Sequence, residues 1–185
     1  MGILTRNLYP IVTALCLTVW NSVPVAAQTD ISGQLEALKS AGPAEATQLT
    51  REIELEWSKS GSTALDLLLR RGQDAMENDD LDTAIEHLTA LTDHAPDFAE
   101  GFHARATAYF RAEKYGPAFE DLQRALILNP LNYNAIFGLG VMFAEVEDFD
   151  RAERAFRQVL DIHPNHEGAG AALDRLKTEG LGREL

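Results

Sequence analysis

Small and apolar residues recur along this chain at an interval of 34, through three consecutive segments. Leu68, Phe102 and Ile136 hold one such position, Gly72, Ala106 and Gly140 the next, and Ala75, Tyr109 and Phe143 a third. The register continues through Ala84, Ala118 and Ala152, then Leu88, Leu122 and Phe156, then Leu91, Ala125 and Val159, and closes on Pro96, Pro130 and Pro164. Within each segment the apolar positions step by three and four residues, as in Phe102, Ala106 and Tyr109 or Ala118, Leu122 and Ala125. That spacing marks one buried face on each of two helices. Each segment therefore predicts a helical hairpin, and self-similarity at this period predicts a stack of hairpins.

Local chemistry supports the same reading. Gly72, Ala106 and Gly140, with Ala84, Ala118 and Ala152, suit positions where the two helices of a hairpin approach closely, because a larger side chain there would overpack by roughly 1–3 kcal/mol. Each proline falls at the end of a second helix, where the missing N–H and the ring block continuation. Asp97 with Glu100 three residues on, Asn132, and Asn165 stand where the next helix needs a cap. The acidic run Asn78-Asp79-Asp80-Leu81-Asp82 lacks the glycine and distal glutamate of a calcium loop. It predicts a solvated turn with Asp80 capping the following helix, and Glu147-Asp148-Phe149-Asp150 is its equivalent.

Taken together, these positions resemble the tetratricopeptide repeat (TPR). The best copy runs from Ala135-Ile136-Phe137-Gly138-Leu139-Gly140 to Phe143, followed by Ala152, Phe156 and Pro164. The resemblance covers residues 65–166 and divides them into units 65–98, 99–132 and 133–166. It implies an all-α, right-handed solenoid of three hairpins whose first helices line a concave surface.

The flanks are less regular. Ile31 to Lys39 predicts a short helix ending near Gly42-Pro43, and Pro43 is placed to open a second helix reaching Trp57, with Leu49, Ile53 and Trp57 as its apolar stripe. Shifting the repeat frame back puts Gln34, Leu38, Thr50 and Glu54 at the key positions, a poor match, so residues 28–64 read as a helical N-terminal cap. Glu167 to Lys177, with Gly170, Leu173 and Leu176, repeats the first-helix pattern loosely, and 167–185 reads as a C-terminal capping helix and tail.

Residues 1–27 have a different character. Arg6 supplies a positive start, Ile11 to Trp20 an apolar stretch and Val25-Ala26-Ala27 a small-residue cleavage site, the organisation of a secretory signal with a mature start at Gln28. The apolar run is too short and too interrupted for a comfortable membrane span, which needs about 20 residues. Cys16 is the only cysteine and lies inside this segment, preceded by Leu15 where a lipoprotein signal has a small residue. The exported chain would then have no thiol chemistry. Glu56 to Ser62, running into Asp66 to Gly72, also resembles a group of exported TPR proteins of alphaproteobacteria without assigned activity, which implies a bacterial periplasm.

The formal net charge is −13, and the three units carry −7, 0 and −3 in order. Such a chain is a poor partner for nucleic acid, whose binding requires basic residues to neutralise phosphates. No catalytic constellation emerges. His163-Pro164-Asn165-His166 offers two imidazoles with Asp161 close by, but the proline sets them across an interhelical turn. His87 and His94 lack anything to complete a ligand set, and neither a phosphate-cradling glycine loop nor a nucleophilic-serine motif is present. No cofactor or metal is expected.

The TPR resemblance places a ligand-binding strip beside the buried face of each first helix. In the first unit the strip is Asp66, Leu69, Gln73, Met76 and Glu77; in the second, Glu100, His103, Thr107, Phe110 and Arg111; in the third, Asn134, Phe137, Val141, Ala144 and Glu145. Its net charge of −3 around several apolar anchors suits an extended or helical peptide with hydrophobic anchors and neutral or basic flanks. Alternatively, several of these apolar residues are buried against a cap or a neighbouring repeat. Some TPR proteins clamp acidic chaperone tails with lysine, asparagine and arginine, but the corresponding positions here hold Leu69, Gln73, Asn134 and Gly138. The expected role is an exported, non-enzymatic adaptor, with a self-associating structural component or an accessory subunit of an envelope enzyme or assembly complex as the alternatives.

Overall fold

The computed structural model describes residues 31–183. Each repeat folds as two helices, giving α3 (Thr63–Glu77) with α4 (Leu81–His94), α5 (Ala99–Arg111) with α6 (Tyr115–Leu128), and α7 (Tyr133–Glu145) with α8 (Phe149–Ile162). They are preceded by α1 (Ile31–Leu38) and α2 (Pro43–Trp57) and followed by α9 (Glu167–Arg183), and no strand forms among the described residues. Each hairpin packs on the next. First helices also touch across repeats, α3 with α5 and α5 with α7, whereas no comparable contact joins α4 to α6 or α6 to α8. The stack therefore curves with its first helices inside. This is an all-α solenoid of helical hairpins.

The turn within each hairpin repeats as closely as the helices do. Asp79, Glu113 and Glu147 adopt left-handed backbone with φ of 60°, 59° and 59°. The following N–H groups of Asp80, Lys114 and Asp148 donate to the carbonyls of Ala75, Tyr109 and Phe143 at 2.9, 2.8 and 2.9 Å, closing the exposed end of the first helix. Asp80 and Asp148 then cap the second helices by accepting from the N–H of Thr83 and Arg151 at 3.2 and 3.1 Å. Asn132 likewise caps α7 through the N–H of Ala135 at 3.0 Å.

Two expected caps are corrected. The cap position of α5 is Phe98, one residue beyond Asp97, and no side chain closes it. At α9 the Nδ1 of His166 accepts from the N–H of Ala169 at 3.0 Å, while the amide of Asn165 turns away to donate to the carbonyl of Ala41 at 2.9 Å.

Close approach within hairpins rests on the small residues. A Cβ at Gly72 would lie 2.5 Å from Leu88 Cγ, and one at Gly140 would lie 2.5 Å from Phe156 Cε1. The middle hairpin tolerates Ala106, buried beside Leu122, and adds the guanidinium of Arg105 on Asp121, with Nε and Nη2 donating to the two carboxylate oxygens at 2.7 and 2.8 Å. Asp121 is buried and Arg105 lies over the rings of Phe102 and Tyr109, so the pair fixes α5 on α6 in an apolar setting.

The N-terminal segment forms both expected helices but does not cap the first repeat. Leu35, Leu38, Ala46 and Ile53 are buried in one core with Tyr133, Ile136, Phe156, Val159 and Ile162, which belong to the third repeat. The apolar cluster of the first repeat contains no residue of α1 or α2. The physical reason is that the stripe Leu49, Ile53 and Trp57 buries its apolar face against the third repeat, where Trp57 meets Tyr133 at the N-terminal end of α7 with ring centroids 5.0 Å apart. From there α2 leads into Ser60, whose N–H and hydroxyl donate to Asp66 Oδ1 at 2.8 and 2.5 Å on α3. Thus α2 straps the ends of the first helices from the α8–α9 turn back toward the first repeat. At the other end α9 packs on α8, burying Ala169 and Leu173. No helix among the described residues is long and apolar enough to cross a membrane. The expected signal segment, 1–27, lies outside the described residues.

Candidate functional site

Between α5 and α7, on the inner side of the curve, lies an open apolar cavity of about 370 Å³. Its walls include His103, Thr107 and Phe110 from α5 and Asn134, Phe137 and Val141 from α7, all six members of the strips expected from sequence. Ala106, Leu122, Gly138 and Met142 complete the lining. Gly138 deepens the floor, because a Cβ there would stand 3.1 Å from Leu122 Cδ2. A volume of this order accommodates one or two large apolar side chains and lies within the range of small-ligand pockets.

The remaining strip residues divide by repeat. Leu69 and Met76 are buried, at 2% and 8% exposure, in the cluster shared with Ala104 and Ala108 of α5, so the expectation that they face a groove is corrected. They are core residues because α5 packs directly on α3 at this point. Asp66 is held by Ser60, Gln73 is half-buried and Glu77 is exposed, and none of them lines the cavity. Arg111 is engaged in joining repeats, donating to the carbonyl of Met76 at 2.7 Å and to Asp79 at 2.8 Å. Ala144 and Glu145 border a second, more polar hollow of about 420 Å³ between α7 and α9, which shares Phe137 and Val141 with the first. Phe137 is also a packing residue, with ring centroids 5.5 Å from Phe156 and 5.0 Å from His166.

Polar groups stand behind the His103 and Asn134 end of the cavity wall, and one of them, Glu54, comes from α2. Glu54 Oε1 accepts from the amide of Asn134 at 2.8 Å and lies 3.5 Å from the hydroxyl of Tyr133. Glu100 lies 3.2 Å from His103 Nδ1. Burial pulls His103 down, but the charge and hydrogen bond of Glu100, aided by Glu54, outweigh it and hold the imidazole above its usual pKa of 6.5. Burial and then Glu54 push the Tyr133 phenol well above its ordinary range, with Glu100 adding to the effect. Sequence reasoning missed Glu54, since nothing in the repeat pattern signals that the N-terminal segment returns to the third repeat.

The two histidines of the α8–α9 turn each have a partner within the fold. His163 Nε2 pairs with Thr50 Oγ1 at 3.1 Å, and His166 caps α9. Burial lowers both pKa values, that of His163 further through His166.

The family model for the tetratricopeptide repeat matches residues 69–116 and 103–167, more than half of the chain, and the chain belongs to that family. A TPR repeat-containing protein of Rhizobium etli is 29% identical over 122 residues, covering 66% of this chain and 60% of that one. The chain thus spans less than two thirds of that relative's length. Among solved structures, the first TPR of Spaghetti (RPAP3) bound to HSP90 peptide SRMEEVD is 25% identical with a TM-score of 0.60, covering 62% of this chain and 91% of that chain. MamA, at 24% identity and a TM-score of 0.59, covers 83% of this chain and 80% of its own, and shares the fold. The repeats are therefore of a kind that is typically a non-catalytic protein-interaction module.

Proposed function

We propose that this protein is an exported adaptor, acting in a bacterial periplasm, that seats a peptide segment of a partner protein in the cavity between α5 and α7. The observation behind this reading is the convergence of six strip residues on one open apolar cavity on the inner face. The RPAP3 domain, which holds a peptide, provides a precedent for the fold in that role. The partner segment has hydrophobic anchors and neutral or basic flanks, matching an apolar cavity in a chain of net charge −13. No catalytic activity and no cofactor are proposed. Export rests on the features of residues 1–27, and amino-terminal sequencing of protein recovered from the periplasmic fraction tests it, with Gln28 the expected first residue.

The groove is tested by photocrosslinking in intact cells with a small aliphatic diazirine residue, too small to fill the cavity, placed at position 107, which is exposed beside the cavity, and at position 127 on α6, where Ile127 is 71% exposed. A partner peptide crosslinked from position 107 only, and lost when Val141→Trp fills the cavity, is the expected result. Equal crosslinking from both positions, or persistence in the filled variant, defeats the assignment.

A further inference from the structure

We propose that the strap helix α2 is part of the binding site, and that Glu54 with Glu100 selects a lysine or arginine beside the apolar anchor of the bound peptide. This rests on the cavity between α5 and α7 being the peptide site. The two carboxylates come from different elements, yet each is one side chain removed from the same cavity wall. Glu54 is bonded to Asn134 and Glu100 to His103, and both Asn134 and His103 line the cavity. Both glutamates are half-buried, and neither is paired with a lysine or arginine among the described residues. Their fields overlap, because both act on Tyr133 and both act on His103.

Half-buried carboxylates without a full countercharge are incompletely compensated, and a cation delivered by a ligand relieves that at lower desolvation cost than a fully buried pair requires. One amide, one distant phenol hydroxyl and one imidazole supply only part of what two carboxylates can accept, since each has about four lone-pair sites. The apolar floor then sets the spacing of the ligand: an anchor side chain in the cavity, with a long basic side chain reaching past His103 to the α2 end. An acidic peptide such as the one held by the RPAP3 domain would meet like charge here. The strap thereby couples recognition to its own docking on the third repeat.

Selection from a phage-displayed random dodecapeptide library tests the idea, using the purified protein, the Glu54→Gln/Glu100→Gln variant and a Thr107→Trp variant. Glutamine keeps the acceptor for Asn134, and Thr107 is exposed, so circular dichroism should report an unchanged fold. The expected outcome is an apolar residue with a nearby Lys or Arg for the native protein, the same apolar residue without basic preference for the double variant, and no enrichment for Thr107→Trp. Replacing the basic residue of a selected peptide by glutamine should weaken native binding about tenfold and leave the double variant's affinity unchanged. Apolar anchors with no basic preference, a preference that survives the double substitution, or enrichment of acidic peptides overturns the role of Glu54 and Glu100 while leaving the cavity assignment intact. Enrichment indifferent to Thr107→Trp overturns the cavity assignment itself, and this inference with it.

Discussion

Trp57 packs its indole against the ring of Tyr133, centroids 5.0 Å apart at an interplanar angle of 50°, tying the N-terminal strap to the third repeat. Tyr133 is fully buried there and also meets His163 and His166 at 5.3 and 6.2 Å. Contacts between distant parts of a chain in a solenoid are uncommon, because each repeat ordinarily touches only its neighbours. Here the strap adds a long-range closure to an otherwise local architecture.

Removing the indole should loosen that closure. Trp57→Ala is expected to destabilise the protein by about 3 kcal/mol, the order for deleting a largely packed aromatic side chain. Urea unfolding followed by circular dichroism should show α1 and α2 lost in an earlier step. An unchanged single transition would mean that the strap contributes little to stability.

The histidines beneath the strap should make its docking acid-sensitive. The folded pKa values of His163 and His166 lie below the usual 6.5, so below that value the unfolded chain binds more protons than the folded one. The stabilisation from these neutral imidazoles is present above pH 6.5 and is lost as pH falls through their folded values. His103 is opposite in sign: its pKa is raised, so its contribution is complete below 6.5 and disappears as pH rises through the higher folded value. Stability measured between pH 5 and 8 should fall less on the acid side in His163→Gln/His166→Gln than in the native protein. NMR titration should place the midpoint of His103 above those of the other two, and the reverse order would contradict the packing described.

Helix contact in the third hairpin leaves no room at Gly140. An alanine there would drive its methyl into the Phe156 ring, and a loss of roughly 1–3 kcal/mol is expected despite alanine's better helix propensity. Thermal unfolding of Gly140→Ala checks this, and a stabilised variant would show that the ring moves aside freely.

Asp121→Ala should cost about 3 kcal/mol, because it strands the Arg105 guanidinium, only 15% exposed, between Phe102 and Tyr109. Arg105→Met/Asp121→Leu should recover much of the loss, since it removes the charge along with its partner. If the single and double variants are equally unstable, the ion pair is not the cause.

Sequence alone determined the repeats. A helix with one apolar face has a period, and a proline or a capping Asp or Asn acts within a few residues, so Ala84, Ala118, Ala152, Asp80, Asn132 and both ends of α2 could be read directly from the chain. The six cavity residues were legible through the resemblance to the TPR, which implies that the strip adjoining the buried face of each first helix faces the concave side. The first repeat defeated that rule, because whether Leu69 and Met76 face solvent or Ala104 and Ala108 depends on how closely α5 stacks on α3. Tertiary structure alone decided where α1 and α2 dock. Their stripe of Leu49, Ile53 and Trp57 specifies an apolar face to bury but not the surface that buries it. Side-chain packing against Tyr133 chose the third repeat and so brought Glu54 to Asn134, behind the cavity wall.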